Sequence, residues 1–587
     1  MSAVSYDTET TNLSRHRGNM FSFSTCTEGG ETRVYRLDGN AVRVAISRLA
    51  LEKLWADRQM AKVMHNLKFD LGFTEKMLSR VLDTGQTLHD THKMSHILQN
   101  DHKGHGLKEL CWELAGYPRD DETAIHKYTA GGRSYQNVPE QLMEKYQHRD
   151  AERTMLLYQF FWPKIQASKD FREIYQYEVD LQPVTLRMEN RGVMIDRNKC
   201  KSLITELQAK TSKAMDEIES VVGERVSPNA AAFRYHLYRI LDVPVTMKTK
   251  AGLPSTDQSI LMEMRLERPH PLIELVLQYR AYSRGATMIE SYLEKADTND
   301  VLHPNIHTCQ AITGRESCSD PNLQNVEKEI NLQNPYPVAA RKVFRPRPGY
   351  VNFHVDYAGI EMRLLIHYSG DEELVKICME GGDVHLPATL IFFPEEYSSS
   401  TDPKHKKALR DQCKQANFAI AYGAQLPKVA GVLGLDMHTA GKRLSQYRKR
   451  FPRLGSLMGS AMEEVAQTGK VFTTFGRNLY IPTDQKHMGI NYRIQGTAAE
   501  IIKRAQVRVH RYLEKNASEF HMLLPIHDEL IIECPRHSLK DAREVLTAVA
   551  HEMTDFSNRF TVPLEVEVDV ATVDWAHKSK YKLLEAK

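Results

Sequence analysis

Residues 522–535, MLLPIHDELIIECP, place two adjacent acids between two apolar runs. Short apolar runs are typical of buried strands, and a carboxylate buried there without compensation costs several kcal/mol. We therefore predict two short strands around a tight turn at His527, Asp528 and Glu529, which displays both acids while its flanks are buried. An acid displayed in this way can meet another from an adjacent strand and share a metal ion.

A strand that ends in an acid is predicted within residues 349–370, GYVNFHVDYAGIEMRLLIHYSG. Val351, Phe353 and Val355 alternate with polar residues, as on a strand with one buried face. After Asp356 the apolar spacing changes to that of a helix. Asp356 should therefore stand at the C-terminal end of a strand, where it can reach a site.

Residues 410–424, RDQCKQANFAIAYGA, repeat functional side chains at every fourth position. On a helix these positions form one stripe about 18 Å long, made of Arg410, Lys414, Phe418 and Tyr422. Two cations suit a triphosphate, and two aromatic rings suit a stacked base. The alternative is a helix with a mixed face, which is common for one such pair and less common for all four.

Acids also recur in the first 160 residues. Asp7 and Glu9 share one face of a predicted strand in AVSYDTETTNL, a pattern equally typical of a solvated strand face. Asp70 begins an apolar helical pattern, and Tyr146 and Asp150 lie one helical turn apart. Four acids can hold two hard divalent cations, which clamp the attacking and leaving oxygens of a phosphodiester.

The length, net charge and cysteine content of the chain constrain its function only broadly. The 587 residues suggest about three to five folding units. A net charge of +3 neither requires nor excludes a nucleic-acid partner, because clustering of cations matters more than their sum. Eight scattered cysteines without a CxxC pair predict reduced thiols in the cytoplasm. We expect no membrane span, signal peptide or transit peptide.

The N-terminal motifs DTET, NLKFD and YQHRD resemble the three motifs of the DEDD exonucleases, in the branch that carries a tyrosine. They occur in the family's order over about residues 1–165. The resemblance implies a ribonuclease-H-like fold that removes 3′-terminal nucleotides. Tyr146 would orient the attacking water, and two Mg²⁺ or Mn²⁺ ions would be held by Asp7, Glu9, Asp70 and Asp150.

The segments DYAGIEMR, RDQCKQANFAIAYG and HDE resemble motifs A, B and C of the family A DNA polymerases, the group of DNA polymerase I. Together with the exonuclease motifs, the resemblance covers nearly the whole chain. It implies a multidomain fold of α/β and α+β type, in which a ribonuclease-H-like domain precedes a right-hand polymerase. The expected divisions are an exonuclease domain at 1–168 and a polymerase domain at 169–587, with a thumb at about 175–300, a palm at about 301–384 and 486–587, and fingers at about 385–485.

The resemblance also implies roles at a polymerase site. Two Mg²⁺ ions would be held by Asp356, Asp528 and the Tyr357 carbonyl, with Glu529 in support. The nucleotide's phosphates would contact Arg410, Lys414 and His385, and Lys414 would protonate pyrophosphate. Phe418 and Tyr422 would contact the sugar and base, and Glu361 would exclude a 2′-hydroxyl. Primer or template would contact Arg315, Arg477, Asn491, Gln495 and His527.

Three departures from the family pattern are visible, one of them at the usual Gly-x-x-Trp end, where Thr572 or Val573 replaces the glycine. Gly359 stands where motif A commonly has glutamine, and Glu316 follows Arg315 where an apolar residue is usual. The compact plan resembles bacteriophage replicative polymerases more than full-length bacterial repair enzymes. In that case the protein would act in the host bacterial cytoplasm.

The predicted activity is template-directed addition of dNTPs to a primer on DNA, with 3′–5′ proofreading. Candidate further partners are a helicase, a primase or other replication proteins. Two alternatives stay open, a single-subunit RNA polymerase and a nuclease whose C-terminal half only binds DNA. The attached exonuclease motifs and the steric role of Glu361 argue against the first. The second is disfavoured because a binding scaffold has no need of two repelling carboxylates, Asp356 and Asp528.

Overall fold

A computed structural model describes residues 2–82, 85–101, 104–245, 247–249, 251–326, 336–556 and 559–584. Within this part of the chain the two largest sheets have five strands each, and helices pack around both. Among the same residues, none of the helices combines the length and the apolar composition needed to cross a bilayer.

The N-terminal part is a mixed sheet with order β3-β2-β1-β4-β5, in which β1 pairs antiparallel with β2 and parallel with β4. Its strands are β1 (Ala3–Thr10), β2 (Met20–Thr27), β3 (Thr32–Arg36), β4 (Ala61–Met64) and β5 (Leu88–Asp90). Its helices are α1 (Ala41–Ala56), α2 (Leu67–Leu78), α3 (Thr91–Leu98), α4 (Leu107–Ala115), α5 (Asp120–Thr129) and α6 (Glu140–Ala167), with a 3₁₀ turn at Tyr135–Asn137.

The central strand β1 holds the first two acids against α6. Tyr6 is fully buried and meets Trp55 edge to face, with 5.6 Å between ring centroids. On the opposite face of the strand, the Ser5 hydroxyl donates to the Ala151 carbonyl at 2.7 Å. This bond ties β1 to the helix that carries Tyr146 and Asp150.

A helical region connects the two large sheets. It contains α7 (Lys169–Arg191), α8 (Arg197–Val222), α9 (Ala231–Leu241), α10 (Gln258–Glu267) and α11 (Pro271–Lys295), with the short strands β6 (Val193–Met194), β7 (Val301–Leu302), β8 (Asn305–His307) and β9 (Ser317–Ser319). Gly192 ends α7 at a φ of +66°, where a Cβ would lie 2.4 Å from the Leu302 carbonyl oxygen. Only glycine fits this turn, which separates α7 from the short strand β6.

The second large sheet is antiparallel, with order β13-β14-β10-β15-β16. Its strands are β10 (Tyr350–Tyr357), β13 (His521–Ile526), β14 (Glu529–Pro535), β15 (Val566–Ala571) and β16 (Lys578–Lys580). A separate two-stranded sheet contains β11 (Lys470–Phe472) and β12 (Asn478–Tyr480).

Ten helices accompany the second large sheet in the described part of the chain. Some of them pack against the sheet, and others belong to the helical segment that follows α12. They are α12 (Ile360–Ser369), α13 (Glu372–Met379), α14 (Leu386–Phe392), α15 (Pro394–Ser399), α16 (Pro403–Ala421), α17 (Leu426–Leu433), α18 (Met437–Arg450), α19 (Pro452–Thr468), α20 (Gly489–Asn516) and α21 (Ala542–Thr554). Short 3₁₀ segments cover Ala340–Val343, Thr483–Met488 and Arg536–Ser538.

The hairpin predicted from residues 522–535 is present as β13 and β14, and β14 pairs antiparallel with β10. Val351, Phe353 and Val355 are fully buried, as the strand alternation predicted, but Asn352 and His354 on the other face are buried as well, so this strand does not have a single buried face. One further detail differs. The ladder continues to the Ile526–Glu529 pair, so the turn contains only His527 and Asp528, and the prediction that it also displays Glu529 is wrong.

Candidate active sites

Four acids gather around the C-terminal half of β1. Carboxylate oxygens of Asp7, Glu9 and Asp150 all lie within 4.8 Å of one another. Asp70, in the first turn of α2, accepts hydrogen bonds from the backbone nitrogen and hydroxyl of Thr8, at 3.1 and 2.7 Å. We call these four residues the N-terminal acid cluster.

The pKa values of this cluster show that its negative charges repel one another. Burial, and then the charge of Asp150, raise the pKa of Asp7 to about 7. Burial and the charge of Asp7 raise the pKa values of Glu9 and Asp70 well above their ordinary range. Close, desolvated carboxylates of this kind fit a hard divalent cation, because its charge removes the repulsion.

Tyr146 joins the cluster from α6. Burial, and then Asp150, raise its pKa well above the usual range, so the hydroxyl keeps its proton. Lys108, from the first turn of α4, donates to the Tyr146 hydroxyl at 2.7 Å and to Asp150 Oδ2 at 2.9 Å. The sequence analysis missed Lys108, because a lysine within LKEL carries no signal that distinguishes it from a solvated helical lysine.

The second site lies where β10 and the hairpin meet. Asp356 is opposite Glu529 in the β10–β14 ladder, and the Tyr357 backbone nitrogen donates to the Asp528 carbonyl at 3.1 Å. These contacts bring Asp356 and Asp528, which are far apart in sequence, to the same end of the sheet. We call them the C-terminal acid pair. Burial raises the pKa of Asp528, with smaller contributions from Glu361 and Glu529, as expected for a carboxylate close to other acids.

Glu529 is held behind this pair. Its carboxylate contacts His354 Nδ1 and accepts a bond from Lys578 Nζ at 3.4 Å. Burial raises the pKa of Glu529, but His354 and Lys578 outweigh it and hold the value at about 2. Glu529 is therefore a buried, paired anion that connects β14 to β10 and β16.

Helix α16 carries the predicted stripe. Arg410 Nη2 donates to Asp383 Oδ1 at 3.0 Å, and Lys414 is exposed one turn further on. The rings of Phe418 and Tyr422 are nearly parallel, with centroids 6.4 Å apart. The stripe thus presents two cations and two rings as predicted, except that an acid already pairs with Arg410. Asp383 could have been found from its place in GGDVH, two residues before His385.

The ring of His385 is oriented by a residue of the same helix, α16. The Asn417 amide donates to His385 Nδ1 at 3.0 Å. Burial, and then the charge of Arg410, lower the pKa of His385 to about 4, so the ring is neutral at neutral pH. A neutral ring can give a phosphate a hydrogen bond but no positive charge.

Glu361 lies in the first turn of α12, between the acid pair and the stripe. Arg315 Nη2 donates to Glu361 Oε1 at 2.6 Å. After burial, Glu361 is the main cause that raises the pKa of the Tyr422 hydroxyl. The structure therefore brings together three residues that the sequence analysis assigned to the nucleotide sugar, the base and the primer.

The predicted DNA-contacting residues belong to several elements of the polymerase part. Asn491 and Gln495 are one turn apart on α20 and partly exposed, and the Gln495 amide donates to Asn491 Oδ1 at 2.7 Å. His527 is exposed at the hairpin turn with a φ of +55°. All three side chains therefore reach the protein surface.

The structure corrects the role predicted for Arg477. Its side chain is 1% exposed and is bound by Glu178 at 2.6 Å and by Glu500 at 3.3 Å. Lys503 donates to the same Glu178 carboxylate at 2.6 Å. Because this network joins α7 to α20 inside the protein, Arg477 is not available to primer or template, and its predicted contact is wrong.

Glu316, unexplained from sequence, lies beside this network. Its Oε1 is buried, and its Oε2 accepts a bond from the Gln506 amide at 2.6 Å. Burial raises the pKa of Glu316 to about 7, although Lys503 acts in the opposite direction. The polar partners on α20 thus explain how an acid is accommodated at a position where the resembling family carries an apolar residue.

The Glu316→Gln variant should be more stable than the wild type at alkaline pH. An unfolded glutamate titrates near 4.5, and the folded group near 7, so the folded chain binds more protons between these values. Wild-type stability therefore falls by about 3 kcal/mol as pH rises through this window, and the variant lacks this loss. Thermal unfolding at pH 5 and pH 8 measures the difference.

The matched control is Glu263→Gln, at an exposed position of α10. Its melting temperature relative to the wild type should be the same at both pH values. Equal behaviour of the two variants would show that Glu316 titrates normally.

Comparison with known proteins adds independent findings. Residues 1–166 match the family described as 3′-5′ exonuclease, and residues 197–577 match DNA polymerase family A. The chain is 32% identical over 449 residues to a thermostable DNA polymerase I of Thermus filiformis, covering 72% of this chain and 51% of the relative. It is 27% identical over 592 residues to DNA polymerase I of Pseudomonas aeruginosa, covering 97% and 63%.

The chain thus spans about half to three-fifths of the length of these relatives. A similar fold occurs in the solved POL domain of Pol1 from M. smegmatis, a complex with DNA primer-template and dNTP. The TM-score is 0.81 at 22% identity, and the match covers 98% of this chain and 95% of the other. The predicted fold class, an exonuclease domain followed by a right-hand polymerase, is confirmed.

Proposed function

The chain belongs to DNA polymerase family A, and we propose that it extends DNA primers on a template and removes nucleotides from 3′ ends at a second site. The observation that carries this proposal is the presence of two separate acid sites. The N-terminal acid cluster suits hydrolysis of a phosphodiester, and the C-terminal acid pair lies beside a stripe that suits a nucleoside triphosphate. The proposed division places the boundary at residue 168, the residue between α6 and α7.

The proposed ligands are primer-template DNA and dNTPs, as in the complex of the structural neighbour. Arg410, Lys414 and His385 would contact the triphosphate, with Lys414 also protonating pyrophosphate. Arg410 would exchange its bond to Asp383 for a phosphate oxygen, because guanidinium groups bind both anions in the same bidentate way. Asn491, Gln495, Arg315 and His527 would contact the primer or template.

Both sites fit divalent cations. Burial and neighbouring acids raise the pKa values of Asp7, Glu9 and Asp70 in the N-terminal acid cluster and of Asp528 in the C-terminal acid pair. We assign Mg²⁺ to Asp356, Asp528 and the Tyr357 carbonyl, and Mg²⁺ or Mn²⁺ to the N-terminal acid cluster. When bound, such cations supply the Lewis acidity that activates the attacking oxygen and stabilises the leaving oxygen.

The residues of the chain supply positioning, which is most of what phosphoryl transfer requires. Glu529 would keep Asp528 and Asp356 in register, because it is fixed between His354 and Lys578. Tyr146, protonated at neutral pH, would hold the attacking water at the N-terminal acid cluster. Phe418 and Tyr422 would stack against the incoming nucleotide and the templating base.

We further propose a replicative role in the cytoplasm, or in the host bacterial cytoplasm if a bacteriophage encodes the protein. Helicase, primase or other replication proteins are the partners that this role requires. The matches to both a DNA polymerase family and a 3′-5′ exonuclease family support this role.

One labelled hairpin substrate tests the proposal. With Mg²⁺ and dNTPs the protein should extend the 3′ end, and without dNTPs it should shorten the same end. Efficient extension with rNTPs would favour a single-subunit RNA polymerase instead. Shortening without any extension would favour a nuclease whose C-terminal half only binds DNA.

The Glu361→Ala variant should incorporate ribonucleotides much more readily than the wild type. Glu361 is held by Arg315 beside Tyr422, where its side chain would fill the space needed by a 2′-hydroxyl. We expect the preference for dNTP over rNTP to fall by roughly 100-fold, the scale of one lost steric or polar contact in a binding pocket. Single-nucleotide insertion of matched dNTP and rNTP measures kcat/KM for each.

The control for this variant is Glu373→Ala, which removes an exposed ion pair with Arg450 from the neighbouring helix α13. Selectivity should stay at the wild-type value in the control. Unchanged selectivity in Glu361→Ala would show that another residue excludes the 2′-hydroxyl.

A further inference from the structure

Lys108 borders the N-terminal acid cluster on the side of α6. Its side chain is 14% exposed, and its Nζ lies 4.2 Å from the centroid of the Tyr146 ring. The same ammonium donates to the Tyr146 hydroxyl and to Asp150 Oδ2, at 2.7 and 2.9 Å. One cation thus contacts both residues that α6 contributes to the site.

The two oxygens of Asp150 are held differently. Oδ1 accepts a bond from Arg153 Nη1 at 2.7 Å. Arg153 is fully buried and is itself fixed by bonds from both Nη atoms to Asp121, each 2.7 Å long. Oδ1 is therefore tied into a rigid buried pair, whereas Oδ2 is held by a flexible lysine.

This difference has a consequence for metal binding. A cation shared by Asp7, Glu9 and Asp150 needs an oxygen from each, and Oδ2 is the Asp150 oxygen that can be released. The ammonium of Lys108 and a divalent cation would then compete for the same oxygen. An ammonium has three donors on a flexible stem, so it can leave Asp150 and still keep its bond to Tyr146.

We propose that Lys108 is a positioning residue of the exonuclease site, which orients the Tyr146 hydroxyl and competes with a divalent cation for Asp150 Oδ2. The proposal rests on the exonuclease function proposed above. Lys108 then has two opposite effects on the site. The lysine weakens metal binding, and it keeps the tyrosine in the geometry that hydrolysis requires.

The two effects have opposite signs in the Lys108→Met variant, which keeps an unbranched side chain one atom shorter and removes the charge. Without the competing ammonium, Mn²⁺ should bind this site roughly tenfold more tightly. Without the bond to Tyr146, the rate of 3′-end hydrolysis at saturating Mn²⁺ should fall by about 100-fold, as for other losses of positioning. A purely structural role would instead weaken both metal binding and hydrolysis.

The experiment uses the full chain and has a readout that does not depend on activity. Electron paramagnetic resonance titration with Mn²⁺ gives the affinity, and the Asp7→Ala variant defines the signal that belongs to sites elsewhere. Lys108→Arg should restore most of the wild-type affinity, because it keeps the charge. Lys145→Met, which removes an exposed lysine beside Tyr146, should match the wild type in both measurements.

Each outcome decides part of the proposal. Unchanged or weaker Mn²⁺ binding by Lys108→Met would overturn the competition, and an unchanged hydrolysis rate would overturn the positioning role. Circular dichroism of each variant shows whether the fold is retained, and Lys108→Gln, which also lacks the charge, serves as the test if Lys108→Met does not fold. If the wild type fails to shorten 3′ ends at any Mn²⁺ concentration, the exonuclease function itself is wrong, and the Mn²⁺ titration still decides the competition.

Discussion

Replacing Asp528 with alanine should abolish primer extension and leave 3′-end hydrolysis intact. Asp528 is presented by the hairpin turn beside Asp356, and the Tyr357 backbone bond fixes the two strands in register. Loss of this carboxylate would remove one of the two side chains assigned to metal. We expect the extension rate to fall by at least about 1,000-fold, since several kcal/mol of charge stabilisation would be lost.

The measurement is extension and shortening of one labelled hairpin by the same preparation. Retained shortening would show that the variant is folded. Glu544→Ala, at an exposed position on α21, is the matched control and should extend primers at the wild-type rate. Full extension by Asp528→Ala would remove Asp528 from the catalytic site.

Replacing Asp7 with alanine should have the reverse effect, with 3′-end hydrolysis lost and primer extension retained. Asp7 lies at the centre of the N-terminal acid cluster, within 4.8 Å of Glu9 and Asp150 oxygens. Without it the cluster cannot hold its cations in the same way, and hydrolysis should fall by about 1,000-fold. The fold should be retained, because removing one of several repelling buried acids relieves strain between charges.

Thermal unfolding in EDTA checks this second argument, since the variant should melt no lower than the wild type. Glu52→Ala, an exposed position on α1, is the control for hydrolysis. If either Asp7→Ala or Asp528→Ala lost both activities while still folded, the model of two independent sites would be wrong.

Much of the fold could be predicted from residue patterns alone. The alternation around Val351, Phe353 and Val355 predicted a strand that ends at Asp356, and the four-residue spacing from Arg410 predicted a helix with one functional stripe. Both are local properties. A strand repeats every two residues and a helix every 3.6, so the side of the element that a residue occupies follows from its position.

The residues that pack against each side of an element could not be predicted in the same way. Arg477 has the charge of a DNA-contacting residue and lies within a sequence motif that resembles one of the polymerase family. In the structure, however, its guanidinium is buried and paired with Glu178 and Glu500. Glu178 is 299 residues away in the chain. No local pattern connects these partners, so the sequence analysis assigned Arg477 to the surface.

The sequence by itself therefore determined the chemistry of this protein: which acids, cations and rings are present, on which elements, and in what order. The tertiary structure decided which of them are free to act. It turned Glu529 away from the hairpin turn towards His354, buried Arg477, and placed Lys108 against Asp150 and Tyr146. The physical reason is that packing and ion pairing join residues far apart in sequence, and burial makes an unpaired charge too costly to leave without a partner.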